Sequence, residues 1–198
     1  MSDAIDLRAH EDYFAKKEAA GHRQKCLCLL RCFERFLPAR GEHLLDLGCG
    51  NGWFLLFLRD RFDRLTGIDA SPVAIRLAKQ KVPDADLRKG DLAHEEFPPA
   101  DTILLLDVLE HMEKPVGKRV LRKAVNALCP GGRLIIYTPV SSVYLSLKNV
   151  RYLGHVYVWG RLELIRCITS FGLVLLYEGR PASGKILLVG ERPDDSPD

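Results

Sequence analysis

A short apolar run that leads directly into three alternating glycines constrains this chain more than any other feature. Leu44 to Leu47 is followed by Gly48, Gly50 and Gly52, and a helix-compatible segment, 53–59, continues beyond them. Such an apolar run is typical of a buried parallel strand, and glycine permits positive φ and close approach of a ligand. The pattern predicts a strand, a tight turn and a helix N-terminus, which together form a cradle of nucleotide size.

The residues around these glycines favour one cofactor class over another. The dinucleotide fingerprint Gly-x-Gly-x-x-Gly needs a small third residue, and Trp53 occupies that position here. The chain instead reads Asp46-x-Gly48-x-Gly50-x-Gly52. This spacing resembles motif I of the class I S-adenosylmethionine (SAM)-dependent methyltransferases. The resemblance implies that the glycines lie against SAM and that Asp46 binds the ammonium group of its methionine portion, directly or through water.

An acidic residue ends the second predicted strand. Leu65 to Ile68 is followed by Asp69 and Ala70, and Ser71-Pro72 is a typical helix start because serine caps it and proline fits its first position. A carboxylate at this strand end is placed to accept hydrogen bonds from both hydroxyls of a ribose. Asp69, with Ala70 beside it, is therefore predicted to bind ribose, although NAD-dependent enzymes use the same device.

A second acid follows the third predicted strand. The segment 85–92 ends in Gly90-Asp91-Leu92. In the methyltransferases that the sequence resembles, the matching acid faces the amino group of adenine, so Asp91 and the nearby amide of Leu92 are expected to bind the base. NAD-binding folds do not characteristically need this second acid, and its presence favours SAM.

The fourth predicted strand, 100–106, is almost entirely apolar and runs into Asp107, Glu110 and His111. Ligands of α/β proteins bind at the carboxyl ends of central parallel strands, so these side chains are expected beside the reactive end of the cofactor. Asp107 is assigned to the cofactor site. The Leu109-Glu110-His111 segment resembles methyltransferases that act on quinone precursors and other small molecules.

The remaining periodicity predicts the architecture. Residues 6–37 and 116–128 have helical spacing, and 129–139 predicts a Pro-Gly-Gly turn followed by a fifth strand. The apolar runs 172–177 and 185–189 flank a turn-rich segment and predict a hairpin. These elements match the fold that the resemblance implies, which is α/β: a Rossmann-like, mostly parallel sheet of seven strands with an antiparallel last strand and helices on both faces.

Length and composition limit the possible classes. A chain of 198 residues suggests one domain of ordinary size. The resemblance implies a methyltransferase domain, 41–191, preceded by a helical segment that covers the cofactor site, 1–40. The Pro- and Asp-rich residues 192–198 are expected to form a disordered tail. The sequence lacks an apolar run of membrane-spanning length and begins without a signal-peptide pattern, so a cytoplasmic location is expected. A net charge of +3 does not indicate nucleic acid, and the spacing of the six cysteines matches no zinc pair.

The acceptor is expected to be a small molecule. The segment 140–160 precedes the last helix, and in the family that the sequence resembles this region walls the acceptor pocket; the alternative is a packed loop with aromatic anchors. A hydroxyl acceptor benefits from a base of near-neutral pKa, and His111 or His155 can serve. The pattern thus predicts methyl transfer from SAM to a hydroxyl oxygen. Tyr13 and Arg23 are either ligand contacts or residues of a surface helix.

Other interpretations stay open. Asp107-x-x-Glu110-His111 with the distant His155 resembles small-RNA 3′-terminal 2′-O-methyltransferases, which use Glu-x-x-Glu-His and a distant histidine to hold Mg²⁺ on the terminal ribose hydroxyls. The shorter aspartate arm argues against a divalent metal here, and the nearly balanced charge argues against RNA. A protein that binds SAM without catalysis is a further alternative, whereas Trp53 and Asp91 disfavour an NAD-dependent oxidoreductase.

Overall fold

A computed structural model describes residues 21–141 and 155–194 of the chain. Its helices are α1 (His22–Phe33), α2 (Trp53–Leu58), α3 (Pro72–Lys81), α4 (Lys114–Ala127) and α5 (Arg161–Thr169). Its strands are β1 (Gly41–Leu47), β2 (Phe62–Asp69), β3 (Asp86–Lys89), β4 (Ala100–Leu106), β5 (Leu128–Ser141), β6 (Trp159–Gly160), β7 (Val174–Gly179) and β8 (Lys185–Glu191). Short 3₁₀ turns, Glu34–Phe36 and Leu109–His111, follow α1 and β4.

The strands form one mixed sheet in the order β3-β2-β1-β4-β5-β8-β7. The first five strands of this order are parallel, and β8 is antiparallel to both β5 and β7. The predicted Rossmann-like sheet with an antiparallel last strand is therefore confirmed. The two-residue strand β6, which pairs with the end of β5, is an addition that periodicity does not reveal.

Alternate residues of the central strands supply two separate cores, one on each face of the sheet. Leu44 and Leu104 pack with Phe33 and Leu55 on the face that α1, α2 and α3 cover. Their chain neighbours point to the opposite face, which α4 and α5 cover, where the buried side chains include Leu45, Leu105, Leu121 and Leu164. Apolar residues on both faces of a strand require helices on both faces of the sheet.

The end of the first predicted helix and the start of the fifth predicted strand differ from the sequence prediction. The predicted helix 6–37 corresponds to α1 and the 3₁₀ turn after it, and residues 6–20 lie outside the described part of the chain. The predicted Pro-Gly-Gly turn before the fifth strand is wrong as a boundary, because these residues lie within β5. The pairing of β4 with β5 shifts register there, and Gly131 has φ 71°, so the segment bulges out of the strand rather than preceding it.

The residue that follows the last strand, Arg192, is hydrogen-bonded to β5. The Arg192 amide donates to the Gly132 carbonyl at 2.9 Å, and the Arg192 guanidinium donates to the Leu128 carbonyl at 2.7 Å. The predicted tail therefore begins with a bonded residue, and 195–198 lie outside the described part. In that part no helix has both the length and the apolar character needed to cross a membrane.

Candidate cofactor and acceptor site

A cleft of about 1060 Å³ lies at the carboxyl ends of the parallel strands. Strand order reverses between β1 and β4, and open α/β sheets bind ligands at this reversal. His111 lines the cleft, whereas His155 and Gly52 do not. The other predicted cofactor residues all line it: Asp46, Gly48, Gly50, Asp69, Ala70, Asp91, Leu92 and Asp107.

The three glycines of the turn after β1 serve different purposes. Gly48 has φ 80°, and a Cβ there would lie 2.3 Å from a methyl carbon of Val108. Gly52 has φ 82°, and its Cβ would lie 3.0 Å from the Cβ of Ala78 on α3. Gly52 therefore packs against α3 and does not line the cleft, and its contact with the cofactor stays a prediction. Gly50 has φ 52°, and a Cβ there would meet no atom within 4 Å, so its backbone is open to a ligand.

Asp46 is a buried acid with one oxygen left for a ligand. Its side chain is 2% exposed, and its Oδ2 has no hydrogen-bond partner in the described residues. Burial, and secondarily the charge of Asp69, raises the pKa of Asp46 to about 7. A cation beside this oxygen would restore the ionised form. The carboxylate therefore suits a cationic group, and its contact with the ammonium of SAM stays a prediction.

The carboxylate of Asp69 connects the turn after β1 to the turn after β2. Its Oδ2 accepts the Gly50 amide at 2.8 Å, and its Oδ1 accepts the Ser71 amide at 2.8 Å. A carboxylate oxygen can accept more than one hydrogen bond, and the side chain lines the cleft, so its position suits the ribose hydroxyls. Ser71 caps α3 through the Ala74 amide, and Pro72 is the first residue of that helix, as predicted.

Asp91 and Leu92 form the wall beyond β3. The Asp91 carboxylate accepts the Ala93 amide at 2.9 Å and lies 3.0 Å from His94 Nδ1. The Ala93 amide is the largest influence that lowers the pKa of Asp91. An ionised acid beside the Leu92 amide offers an acceptor and a donor side by side, which suits the edge of adenine.

Asp107 follows β4 in an unusual conformation. It has φ 56°, in the left-handed region that few residues other than glycine adopt, and its amide donates to the Tyr137 carbonyl at 2.7 Å. Its carboxylate forms an ion pair with Lys185, whose ammonium lies 4.7 Å from the Tyr137 ring centroid. No local sequence pattern indicates Lys185, because its place in the cleft follows from the antiparallel pairing of β8 with β5.

Glu110, His111 and His155 converge where His111 lines the cleft. One ligand atom from each lies within 4.8 Å of the other two, and the imidazole rings meet edge-on at 5.5 Å between centroids. The Glu110 carbonyl accepts the Val156 amide at 2.7 Å, which fixes the chain next to His155. The sequence pattern offers a four-residue set for a metal, and the structure brings together three of its members while Asp107 pairs with Lys185.

The charges of this cluster are tuned by burial. Glu110 is 1% exposed and accepts a hydrogen bond from the Thr138 hydroxyl at 3.0 Å. Burial, followed by the charge of Asp107, raises the pKa of Glu110 to about 7. Burial, followed by His111, lowers the pKa of His155, so this imidazole stays neutral at physiological pH. A neutral imidazole can accept a proton or bind a metal ion.

Helix α1 covers part of the cleft through residues that the sequence pattern does not single out. Arg23 does not line the cleft, and its guanidinium lies 5.9 Å from the ring centroids of Trp53 and Phe57, so it is a surface-helix residue. Tyr13 lies outside the described residues. The cleft-lining residues of α1 lie on one helix face: His22, Lys25, Cys26 and Leu29. The apolar periodicity of the helix does not indicate this face.

Comparisons with known proteins agree with this geometry. The family model described as a methyltransferase domain matches residues 19–178. The carboxy-S-adenosyl-L-methionine synthase of Chromohalobacter salexigens is 33% identical over 106 residues, 48% of this chain and 39% of that protein. The ubiquinone biosynthesis O-methyltransferase of Xylella fastidiosa is 29% identical over 109 residues, 52% of this chain and 44% of that protein. The chain therefore matches less than half the length of these two relatives.

A solved structure shows the same fold. The N-methyltransferase NodS of Bradyrhizobium japonicum, in complex with S-adenosyl-L-homocysteine (SAH), superimposes with a TM-score of 0.69 and 21% identity, and the match covers 87% of each chain. The family match includes the glycine turn and the Glu110–His111–His155 cluster. It also includes the acids that follow β2, β3 and β4, which are Asp69, Asp91 and Asp107. This chain belongs to the methyltransferase domain family and, in family and fold, is a class I SAM-dependent methyltransferase.

Proposed function

We propose that this chain transfers a methyl group from SAM to a hydroxyl oxygen of a small molecule. The observation that carries the proposal is the pair of imidazoles, His111 and His155, which meet edge-on where His111 lines the cleft. A hydroxyl must lose a proton as it is methylated, and imidazole is the side chain best suited to accept one near neutral pH. The relative from Xylella fastidiosa bears the name of an O-methyltransferase, which supports the same acceptor atom.

The cofactor would be held by three acids. Asp46 has the buried oxygen for the ammonium group, Asp69 faces the ribose hydroxyls, and Asp91 with the Leu92 amide faces adenine. SAM supplies a methyl group that its sulfonium makes strongly electrophilic. The protein therefore contributes mainly position and the exclusion of water, which are sufficient to drive an in-line displacement.

The acceptor would approach from the side of His111. As the oxygen–carbon bond forms and the carbon–sulfur bond breaks, the hydroxyl proton passes to the His111 imidazole and from there to water. His155 meets the His111 ring edge-on, and its own lowered pKa keeps a second positive charge away from that ring. The Asp107–Lys185 ion pair lines the same end of the cleft and gives the acceptor polar contacts.

A metal-assisted reaction is the second candidate, and the convergence of Glu110, His111 and His155 favours it. One carboxylate and two imidazoles suit a divalent cation of the first transition row. A bound cation would lower the pKa of the acceptor hydroxyl and so replace the general base. The buried glutamate, with its pKa raised to about 7, would be ionised by the metal that it binds.

The test is a methyltransfer assay with SAM and a panel of phenols, catechols and aliphatic alcohols. Mass spectrometry should show an acceptor that gains one methyl group and an equal amount of SAH. Calorimetry with SAH measures cofactor binding separately. SAH binding without turnover on any acceptor, including an RNA 3′ end, would assign the chain to silent SAM-binding proteins, and NAD binding without SAH binding would overturn the proposal.

EDTA separates the base from the metal, and two variants locate the groups. His111→Ala removes the proposed base, so turnover should fall about 10²–10⁴-fold. His155→Ala should also lower turnover, with unchanged SAH affinity because His155 does not line the cleft. EDTA should leave the wild-type rate intact if an imidazole is the base. A rate that EDTA abolishes and Mn²⁺ or Mg²⁺ restores would establish the metal-assisted reaction instead. Wild-type turnover in His155→Ala would remove His155 from the site.

A further inference from the structure

The segment after Asp91 is a single helical turn that begins at the acid itself. The amides of His94 and Glu95 both donate to the Asp91 carbonyl at 2.9 Å, and the Ala93 amide donates to the Asp91 carboxylate. The turn connects β3 to the approach of β4, and its first residues, Asp91 and Leu92, line the cleft. Its geometry therefore decides where the acid and the Leu92 amide point.

Lys123 closes the other end of this turn from a different element. It lies on α4 and is half-buried, and its ammonium donates to the Leu92 carbonyl at 3.0 Å and to the Glu95 carbonyl. The same ammonium lies 4.4 Å from the ring centroid of Phe97. Two carbonyls and an aromatic face hold one cation, an arrangement that fixes the position of the turn against α4.

Lys123 also interacts electrostatically with Asp91. Lys123 contributes to the lowered pKa of Asp91, after the Ala93 amide and the neighbouring His94. Lys123 does not line the cleft itself, so any influence on a ligand must act through the turn.

We propose that Lys123 is a positioning residue for base recognition, which holds the turn after Asp91 so that the acid and the Leu92 amide select adenine. This inference rests on the proposed function, because it assumes that Asp91 and Leu92 meet the base of SAM. It adds to that function a specificity role for a residue that touches no ligand atom. A lysine suits the role because its ammonium has several donors and a full charge, and both carbonyls need a donor.

The experiment compares two ligands that differ only at the base. SAH carries adenine, whereas S-inosyl-L-homocysteine carries hypoxanthine, which presents an oxygen where adenine has its amino group. Calorimetry should show that the wild type prefers SAH by about tenfold or more, as expected for one charge-assisted hydrogen bond. In Lys123→Met the preference should fall to within about threefold, because the acid no longer points at the amino group.

Two further variants make the result specific. Lys123→Arg keeps the charge and several donors, so it should retain most of the preference for SAH. Lys118→Met removes an exposed lysine from the same helix and should leave the preference at the wild-type level. A weakening of both ligands by the same factor in Lys123→Met, or an equal effect of Lys118→Met, would overturn the proposal.

Hydrogen exchange gives a readout that does not depend on affinity. The amides of Ala93, His94 and Glu95 are bonded within the turn. They should exchange faster in Lys123→Met than in the wild type, and unchanged exchange would refute the positioning role even if the variant bound SAH weakly. Failure of the wild type to bind SAH at all would instead count against the proposed function.

Discussion

At the scale of single residues, burial of Asp46 favours its protonated form, whereas a cationic ligand requires the ionised carboxylate. Its pKa is raised to about 7 in the free protein, and a cationic ligand needs its ionised form. SAH affinity should therefore fall as the pH falls through 7, by about tenfold between pH 8 and pH 6 if the ammonium depends on this carboxylate. Calorimetry at several pH values measures this slope.

The stability of the free protein should change in the opposite direction. An acid whose pKa is higher in the folded than in the unfolded state binds a proton more tightly when folded, so Asp46 favours folding more as the pH falls from 7 towards 4. Protonation of Asp46 therefore does not unfold the protein, so a loss of SAH affinity between pH 8 and pH 6 cannot be caused by unfolding through this residue. Asp46→Asn should bind SAH weakly with little pH dependence, and a wild-type slope in that variant would contradict the assignment.

Gly50 permits a test with a closely matched control. Gly50 and Gly131 both have positive φ, 52° and 71°, with no atom within 4 Å of an added Cβ. Valine at either position carries similar backbone strain, about 1–3 kcal/mol, but only Gly50 lines the cleft. We expect Gly50→Val to abolish SAH binding and Gly131→Val to retain it, with similar losses of melting temperature. Normal binding in Gly50→Val would reduce the turn to a structural feature.

At the scale of elements, Glu163 holds the segment that carries His155. It accepts hydrogen bonds from the Gly160 amide at 3.1 Å and the Tyr157 hydroxyl at 3.0 Å, and it pairs with Lys114 of α4. Glu163→Ala should lower turnover while SAH affinity stays constant, since β6 and the start of α5 do not line the cofactor cleft. The loss of stability should be about 1–3 kcal/mol.

Glu191→Ala is the appropriate control for that variant. Glu191 pairs with Arg133, and the Glu191 and Arg133 side chains are 29% and 31% exposed, while the Glu163 side chain is 31% exposed. Neither residue of this control pair lines the cleft. Stopped turnover in both variants would indicate general destabilisation, and unchanged turnover in Glu163→Ala would show that the 155–160 segment does not need this anchor.

Sequence patterns predict the elements whose physical causes are local. Continuous apolar runs predict buried parallel strands, and the run 100–106 predicts β4 with the bounds that it has, Ala100–Leu106. The two-residue strand β6 and the bulge at Gly131 depend on pairing with distant chain, so no local pattern announces them. The strand-end acids are predictable because each directly follows a local apolar run. Lys185 and the cleft face of α1 are not predictable, because their places in the cleft depend on distant parts of the chain.

At the scale of the whole molecule, the cleft is bounded by the glycine turn, three strand ends, α1 and the β7–β8 hairpin. A ligand that bridges these elements should stabilise all of them together. SAH at about 100 times its dissociation constant adds about 2.7 kcal/mol, which corresponds to a rise in melting temperature of about 5–10 °C. Scanning fluorimetry checks this, with NAD as the control ligand. A rise with NAD alone would revive the oxidoreductase interpretation.

The double attachment of Asp69 has a consequence for mutational tolerance. Its two oxygens each accept a backbone amide, one from Gly50 and one from Ser71. Asparagine would direct its NH₂ group at one of these amides, and glutamate would push both turns apart by the length of a methylene. In a saturation library sorted for folded protein in the absence of SAH, we expect aspartate to be the preferred residue at position 69. The geometry of the two turns would then restrict substitution at this position even without a ligand.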